Sequence, residues 1–320
     1  MDTTTLANAA TPPGLYHRQA RATGRYRWWR PALTVLLSLL FYGGLLLVVG
    51  IAVGATMIAS PAAADVVQGL NLDALDPAQP LTLFVSFGFI ALLLPSVALA
   101  VRVAEGRRLG TLSSVAGRLR RPLLVRSLAL AAVLFLLLVV PYTVAFAGHG
   151  PTWSATTGWV LLCALLVVPF QAAAEEYVFR GLPQQVLGAW LRNPWWGILV
   201  PLPLFTFGHP YNGNGLVVIA AMALATGWLT WRTGGLEVAI GLHVVNNALL
   251  VVLGGLGLGD LASTEFHWTG ALVSLAFVGA YTVLSVRVAR GRQWDGASVT
   301  APQTQPLAPG RAAAEVGGRR

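Results

Sequence analysis

The feature that most restricts this chain is a succession of long apolar runs, at about 32–58, 80–101, 123–147, 157–180, 194–209, 214–232, 235–254 and 266–286. A hydrocarbon core about 30 Å thick is crossed by roughly 20 apolar residues in a helix. Inside a bilayer the backbone has no water to bond, so only helices or closed barrels cross it, and runs of this length suit helices. The expected fold is therefore all-α, a polytopic membrane protein of about eight transmembrane helices with little mass outside the bilayer. Composition agrees: 56% of residues are apolar and 10% charged, whereas soluble domains carry about 25% charged residues. The fifth run is short and interrupted by Pro201 and Pro203, which makes it the weakest span.

A formal charge of +9 would suggest nucleic acid in a soluble protein, but its placement here argues for orientation instead. All 21 basic residues are arginine, and 15 of them cluster between Arg18 and Arg30, between Arg102 and Arg126, and between Arg287 and Arg292. The loops at 60–79 and 255–265 carry Asp65, Asp73, Asp76, Asp260 and Glu265 and no arginine. By the positive-inside rule both termini and the 102–122 loop are expected in the cytoplasm of a multi-pass cell-membrane protein. The expected contacts of the arginines are anionic headgroups of the lipid bilayer, and no nucleic acid.

Cys163 is the single cysteine and lies in an apolar run, which leaves no disulfide framework and no cysteine-based metal site. The first run resembles a signal peptide followed by Ala62-Ala63-Ala64, but it is far longer than a roughly 7–15-residue h-region and reads as an uncleaved anchor. The expected division is a basic cytoplasmic arm over 1–30, N-terminal transmembrane helices over 31–156, a catalytic transmembrane core over 157–290 and a disordered tail over 291–320. The tail is rich in Gly, Pro and Ala and has no periodicity.

Chemistry concentrates after residue 157. Glu175 and Glu176 are adjacent inside TGWVLLCALLVVPFQAAAEEYVFRG. Ionisable groups at such positions are costly and commonly line a pathway or perform a reaction. Glu176 and Arg180 are four apart with the acid first, the favourable order for an ion pair on one helix face. Glu175 lies about 100° further round and is free for other partners. Phe205 and His209 share a face of one apolar segment, and His243 and Asn247 share a face of another.

Two chemistries fit these residues. A carboxylate beside a histidine can deprotonate water as a general base, while a second histidine and an asparagine amide donate to a carbonyl oxygen as it becomes an oxyanion. Alternatively Glu175, His209 and His243 supply three ligands for Zn2+ with a fourth position open to water. The histidines lie on different segments without the i, i+4 pair of zinc proteases, and an asparagine amide suits an oxyanion better than zinc. The balance favours a metal-free site.

EEYVFR (Glu175 to Arg180), FTFGH (Phe205 to His209) and HVVNN (His243 to Asn247) resemble the EExxxR, FxxxH and HxxxN motifs of the CAAX protease and bacteriocin-processing (CPBP, or Abi) family of intramembrane proteases. The motifs stand in that family's order, each in its own apolar segment, and the likeness covers about residues 157–255. The resemblance implies a catalytic set of Glu175, His209, His243 and Asn247, with Glu175 activating water assisted by His209. It implies that His243 and Asn247 form the oxyanion site, and that Glu176, Arg180 and Phe205 support it. The expected substrate is a membrane-associated, hydrophobic or lipidated peptide. A non-catalytic immunity or scaffold protein of the same fold, and a proton-coupled transporter using the two glutamates, are the alternatives. The first 150 residues match no motif.

Overall fold

The computed structural model describes residues 16–22, 24–72 and 75–290, apart from the side chain of Arg290. Residues 1–15 and the expected tail at 291–320 lie outside the described residues. Within them the chain is helical, with a single isolated bridge between Ser114 and Gly235. Seven helical stretches are long and apolar enough to cross a membrane, and an eighth, Trp195–Phe207, is apolar but shorter. The protein is a polytopic all-α membrane protein.

The first helix, α1 (Arg30–Ala59), runs into a short α2 (Pro61–Gln68). The second crossing is α3 (Pro80–Ala91) followed by α4 (Leu93–Glu105), and a one-turn α5 (Gly110–Ser113) precedes α6 (Arg121–Ala147). The fourth crossing is broken into α7 (Thr157–Leu166), α8 (Val168–Glu176), a π-helical turn (Tyr177–Gly181) and α9 (Leu182–Trp190). Then come α10 (Trp195–Leu199), α11 (Pro201–Phe207), α12 (Gly213–Thr233), α13 (Glu237–Gly255) and α14 (Trp268–Arg290).

The breaks in the fourth crossing have a local cause. Pro169 and Pro183 lack the N–H that a regular helix would offer to the carbonyls of Leu165 and Phe179. After Pro169 the helix restarts as α8. Before Pro183 the ladder shifts to i→i+5, with the Leu182 N–H donating to the Tyr177 carbonyl. Such π turns occur frequently at functional sites, and this one lies directly after the glutamate pair.

The loops sort onto two faces. On the first, Val115 N–H donates to the Gly234 carbonyl at 2.9 Å and Leu236 N–H to the Ser113 carbonyl at 2.8 Å. There too His17 Nε2–H donates to the Arg192 carbonyl at 3.0 Å. On the second face, Thr152 N–H donates to the Leu256 carbonyl at 2.8 Å and Asn212 N–H to the Thr264 carbonyl at 3.0 Å. The chain thus passes from the first face at Arg192 to the second at Asn212 through α10 and α11. That is the eighth passage, although its 13 residues span only about 20 Å.

The stretch GLPQQVLGAWLR at 181–192 is too polar for lipid, and the fold explains it. Gln184 donates to the Gly227 carbonyl at 2.7 Å. Gln185 donates to the Thr111 carbonyl and accepts from Arg107, each at 2.7 Å. The expected cytoplasmic arm is also no free arm over its described part. Residues Tyr16–Ala22 form a 3₁₀ helix against α9, Tyr16 is buried with its hydroxyl donating to the Leu112 carbonyl, and Arg18 donates to the Gly188 carbonyl. His17 is buried as well.

Candidate active site

Four ionisable side chains meet where α8, the π turn and α13 pack together. Glu176 and Arg180 form the expected ion pair, with Oε1 3.3 Å from the guanidinium. His243 donates from Nδ1 to the same Glu176 oxygen at 2.6 Å, and its Nε2 stands 3.3 Å from Glu175 Oε2. Glu176 is 0% exposed, Arg180 and His243 2% and Glu175 9%. This degree of burial makes each charge dependent on its neighbours.

Arg180 is fixed from three sides. Its Nε donates to Thr226 Oγ1 on α12 at 2.9 Å, its Cζ lies 4.0 Å from the centroid of the Phe205 ring, and its Nη1 stands 3.3 Å from Glu176 Oε1. Phe205 is therefore more than a spacer. Its ring also meets Phe179 at 5.1 Å, His209 at 4.8 Å and His243 at 6.2 Å between centroids. It is the hub through which α11 joins the cluster.

The hydrogen bonds assign several protons. A carboxylate and a carbonyl only accept, so His243 carries a proton on Nδ1 toward Glu176, and His209 carries one on Nδ1 toward the Phe205 carbonyl at 2.7 Å. The second nitrogen of each imidazole is left for the site. Glu175 Oε2 sits at ion-pair distance from His243 Nε2, yet no protein donor meets it in hydrogen-bond geometry. A buried carboxylate oxygen without a donor is uncommon and calls for a functional explanation.

Asn247 stands one turn beyond His243. Its Nδ2 donates to Gln171 Oε1 at 3.2 Å, and its Oδ1 accepts from Asn246 Nδ2 at 3.0 Å. Both ends of the amide are thereby specified, with one Nδ2 hydrogen to spare. Gln171 and Asn246 are site residues that sequence reasoning missed. The signal for Gln171 was present, since a polar residue four before Glu175 shares its helix face. Glu237, the acid in the first turn of α13, is fully buried against Arg120, with contacts of 2.6 Å and 3.0 Å to the guanidinium and 2.7 Å to the Arg120 N–H. This pair anchors the first turn of α13, two turns before His243.

The structure does not gather every expected partner. Among the described residues no hydrogen bond or ion pair joins His209 to Glu175, and His209 reaches the cluster by packing on Phe205. Among the described residues no three His, Cys, Asp or Glu side chains are grouped to hold a metal ion. Of the expected zinc set of Glu175, His209 and His243, the structure brings Glu175 and His243 within 3.3 Å, while His209 stands against the Phe205 ring.

Comparison with known proteins places this site in context. A 129-residue stretch is 33% identical to an uncharacterized protein, YyaK, of Bacillus subtilis (strain 168). The match covers 36% of this chain and 43% of that protein, so the chain spans less than half the length of this relative. No solved structure matches the chain. Residues 155–249, the stretch that carries all three motifs, match the family of Rce1-like type II CAAX prenyl endopeptidases, in agreement with the resemblance carried by those motifs.

Proposed function

We propose that this chain is an intramembrane endopeptidase that hydrolyses a peptide bond in a membrane-associated, hydrophobic or lipidated peptide. One observation carries the reading: Glu175 Oε2 is buried beside His243 Nε2 with no protein donor in hydrogen-bond geometry. A carboxylate held so can accept a proton from water.

The proposed mechanism adds one proton, on His243 Nε2, to those assigned above, and this N–H then faces Glu175 Oε2 across 3.3 Å. Glu175 then takes a proton from water as the water oxygen bonds to the scissile carbonyl carbon. His243 Nε2–H and the spare Asn247 amide hydrogen donate to the carbonyl oxygen as charge develops on it. The C–N bond breaks and the proton on Glu175 passes to the leaving amine. Glu176 fixes the imidazole through Nδ1, the role of an orienting carboxylate. His209 has Nε2 available on the far side of Phe205 and assists at the water or the substrate. No step requires a metal.

Access from the bilayer selects the substrate class, since a peptide reaching this cluster must enter among membrane helices. The arginine-bearing face is assigned to the cytoplasm, which puts both termini there. The test is to reconstitute purified wild-type and Glu175→Gln protein with the solubilised membrane proteome of cells lacking it, then map new peptide termini by mass spectrometry. New termini that depend on wild type and vanish with Glu175→Gln are expected. Identical termini in both arms would refute the reading.

A further inference from the structure

Away from the glutamate cluster, the first face carries an open cleft of about 420 Å³ lined by Arg118, Leu119, Arg121 and Leu124. It lies where the loop after α5 enters α6. Within the run RLRR, Arg120 turns inward to Glu237, while Arg118 and Arg121 are exposed. Among the described residues no carboxylate lies within ion-pair distance of Arg118 or Arg121.

The loop presenting them is built rather than loose. Ser114 Oγ donates to the Arg118 carbonyl at 2.6 Å and accepts from Ala116 N–H at 3.1 Å. Gly117 takes a left-handed φ of 68°, which glycine adopts without strain. Gly110 lets the backbone at Gly117 approach so closely that a Cβ at Gly110 would collide with it. The Arg120 backbone N–H is held by Glu237 at 2.7 Å. The two outward guanidiniums are thus offered from a fixed backbone, with half-buried Leu119 and Leu124 beside them at the end of a membrane-spanning helix.

We infer that Arg118 and Arg121 form a binding site for the headgroup of an anionic phospholipid. The paired guanidiniums meet the phosphodiester, for which arginine's planar fork is suited, and Leu119 and Leu124 meet the glycerol and the first acyl carbons. A lipid fits better than a soluble anion because the cleft combines two cations with apolar walls at the bilayer edge. The bound lipid would hold the same loop that anchors the first turn of α13.

The probe is phosphatidylglycerol against phosphatidylcholine of equal chains, offered to the purified full-length chain in neutral detergent and read by native mass spectrometry. Each arginine near an anionic surface is worth about fivefold in affinity, so two imply a preference for the anionic lipid of roughly 30-fold. Arg118→Gln/Arg121→Gln should remove most of that preference with the thermal unfolding midpoint unchanged. Arg108→Gln/Arg126→Gln, two exposed arginines elsewhere on this side, should retain it. Equal binding of both lipids, full preference in the cleft variant, or equal loss in the control variant would overturn the site. Displacement of the lipid by millimolar inorganic phosphate would overturn the choice of lipid over free phosphate. None of these outcomes depends on proteolysis.

Discussion

Neutralising Glu176 tests the buried cluster where it is most exposed to failure. The carboxylate is 0% exposed, accepts from His243 at 2.6 Å and lies 3.3 Å from the Arg180 guanidinium. Glu176→Gln keeps an oxygen for His243 but leaves Arg180 a buried cation without its paired carboxylate. Thr226 and the face of Phe205 would remain to it. Removing one partner of a buried ion pair costs about 3–5 kcal/mol, while replacing both with neutral groups of similar shape is far less damaging. Glu176→Gln and Arg180→Gln should therefore each lose about 3–5 kcal/mol, and the double variant should lose less than the sum by at least about 2 kcal/mol. Reversible unfolding in mixed micelles, followed by tryptophan fluorescence, measures all four corners of the cycle. Singles costing under about 1 kcal/mol, or a strictly additive double variant, would show that the pair is not coupled as its geometry requires.

Further expectations follow from other contacts. Gln171→Leu should remove the acceptor that orients Asn247 and lower kcat by about tenfold with KM little changed, whereas Gln171→Glu should preserve most of kcat; a larger effect on KM would argue against positioning. A Cβ at Gly188 would run into the His17 carbonyl, so Gly188→Ala should release the 16–22 segment, read as faster proteolytic nicking near residue 23. Burial holds His17 below its ordinary value of 6.5, opposed in part by its bond to Arg192 and reinforced by Arg18, and its Nδ1 has no acceptor. The unfolded segment binds the proton more tightly, so docking is complete above about pH 6.5 and weakens as pH falls below it; protection that increased on acidification would contradict this. Activity should survive prolonged chelation, and loss restored by added Zn2+ would reverse the metal-free reading.

Much of the site was legible because polar residues in an apolar run stand out and helix periodicity sorts them onto faces. Glu176 with Arg180 followed from spacing alone. Which helix faces meet did not, because spacing within one segment carries no information about another. Thus His243, expected to serve beside Asn247 with His209 next to Glu175, is found bridging both glutamates, and His209 stands apart on Phe205. The pairing of Glu237 with Arg120 was not legible either, because a helix start explains an acid by itself and the two residues are 117 apart in sequence. The docked 3₁₀ helix at 16–22 was invisible for a similar reason: beyond Tyr16 and Ala20 it offers little apolar surface, and its attachment runs largely through hydrogen bonds to backbone carbonyls of distant loops. The number of membrane segments was readable from hydropathy, but only the pairing of loops shows that the short Trp195–Phe207 stretch carries the chain from one face to the other.

The central claim is that Glu175 activates water. Once a cleaved peptide is known, its hydrolysis by purified wild-type and Glu175→Gln protein in bilayer nanodiscs tests that claim most directly. A rate lower by about 10²–10⁴ is predicted, with KM and the unfolding midpoint near wild type. Full activity of Glu175→Gln would contradict it.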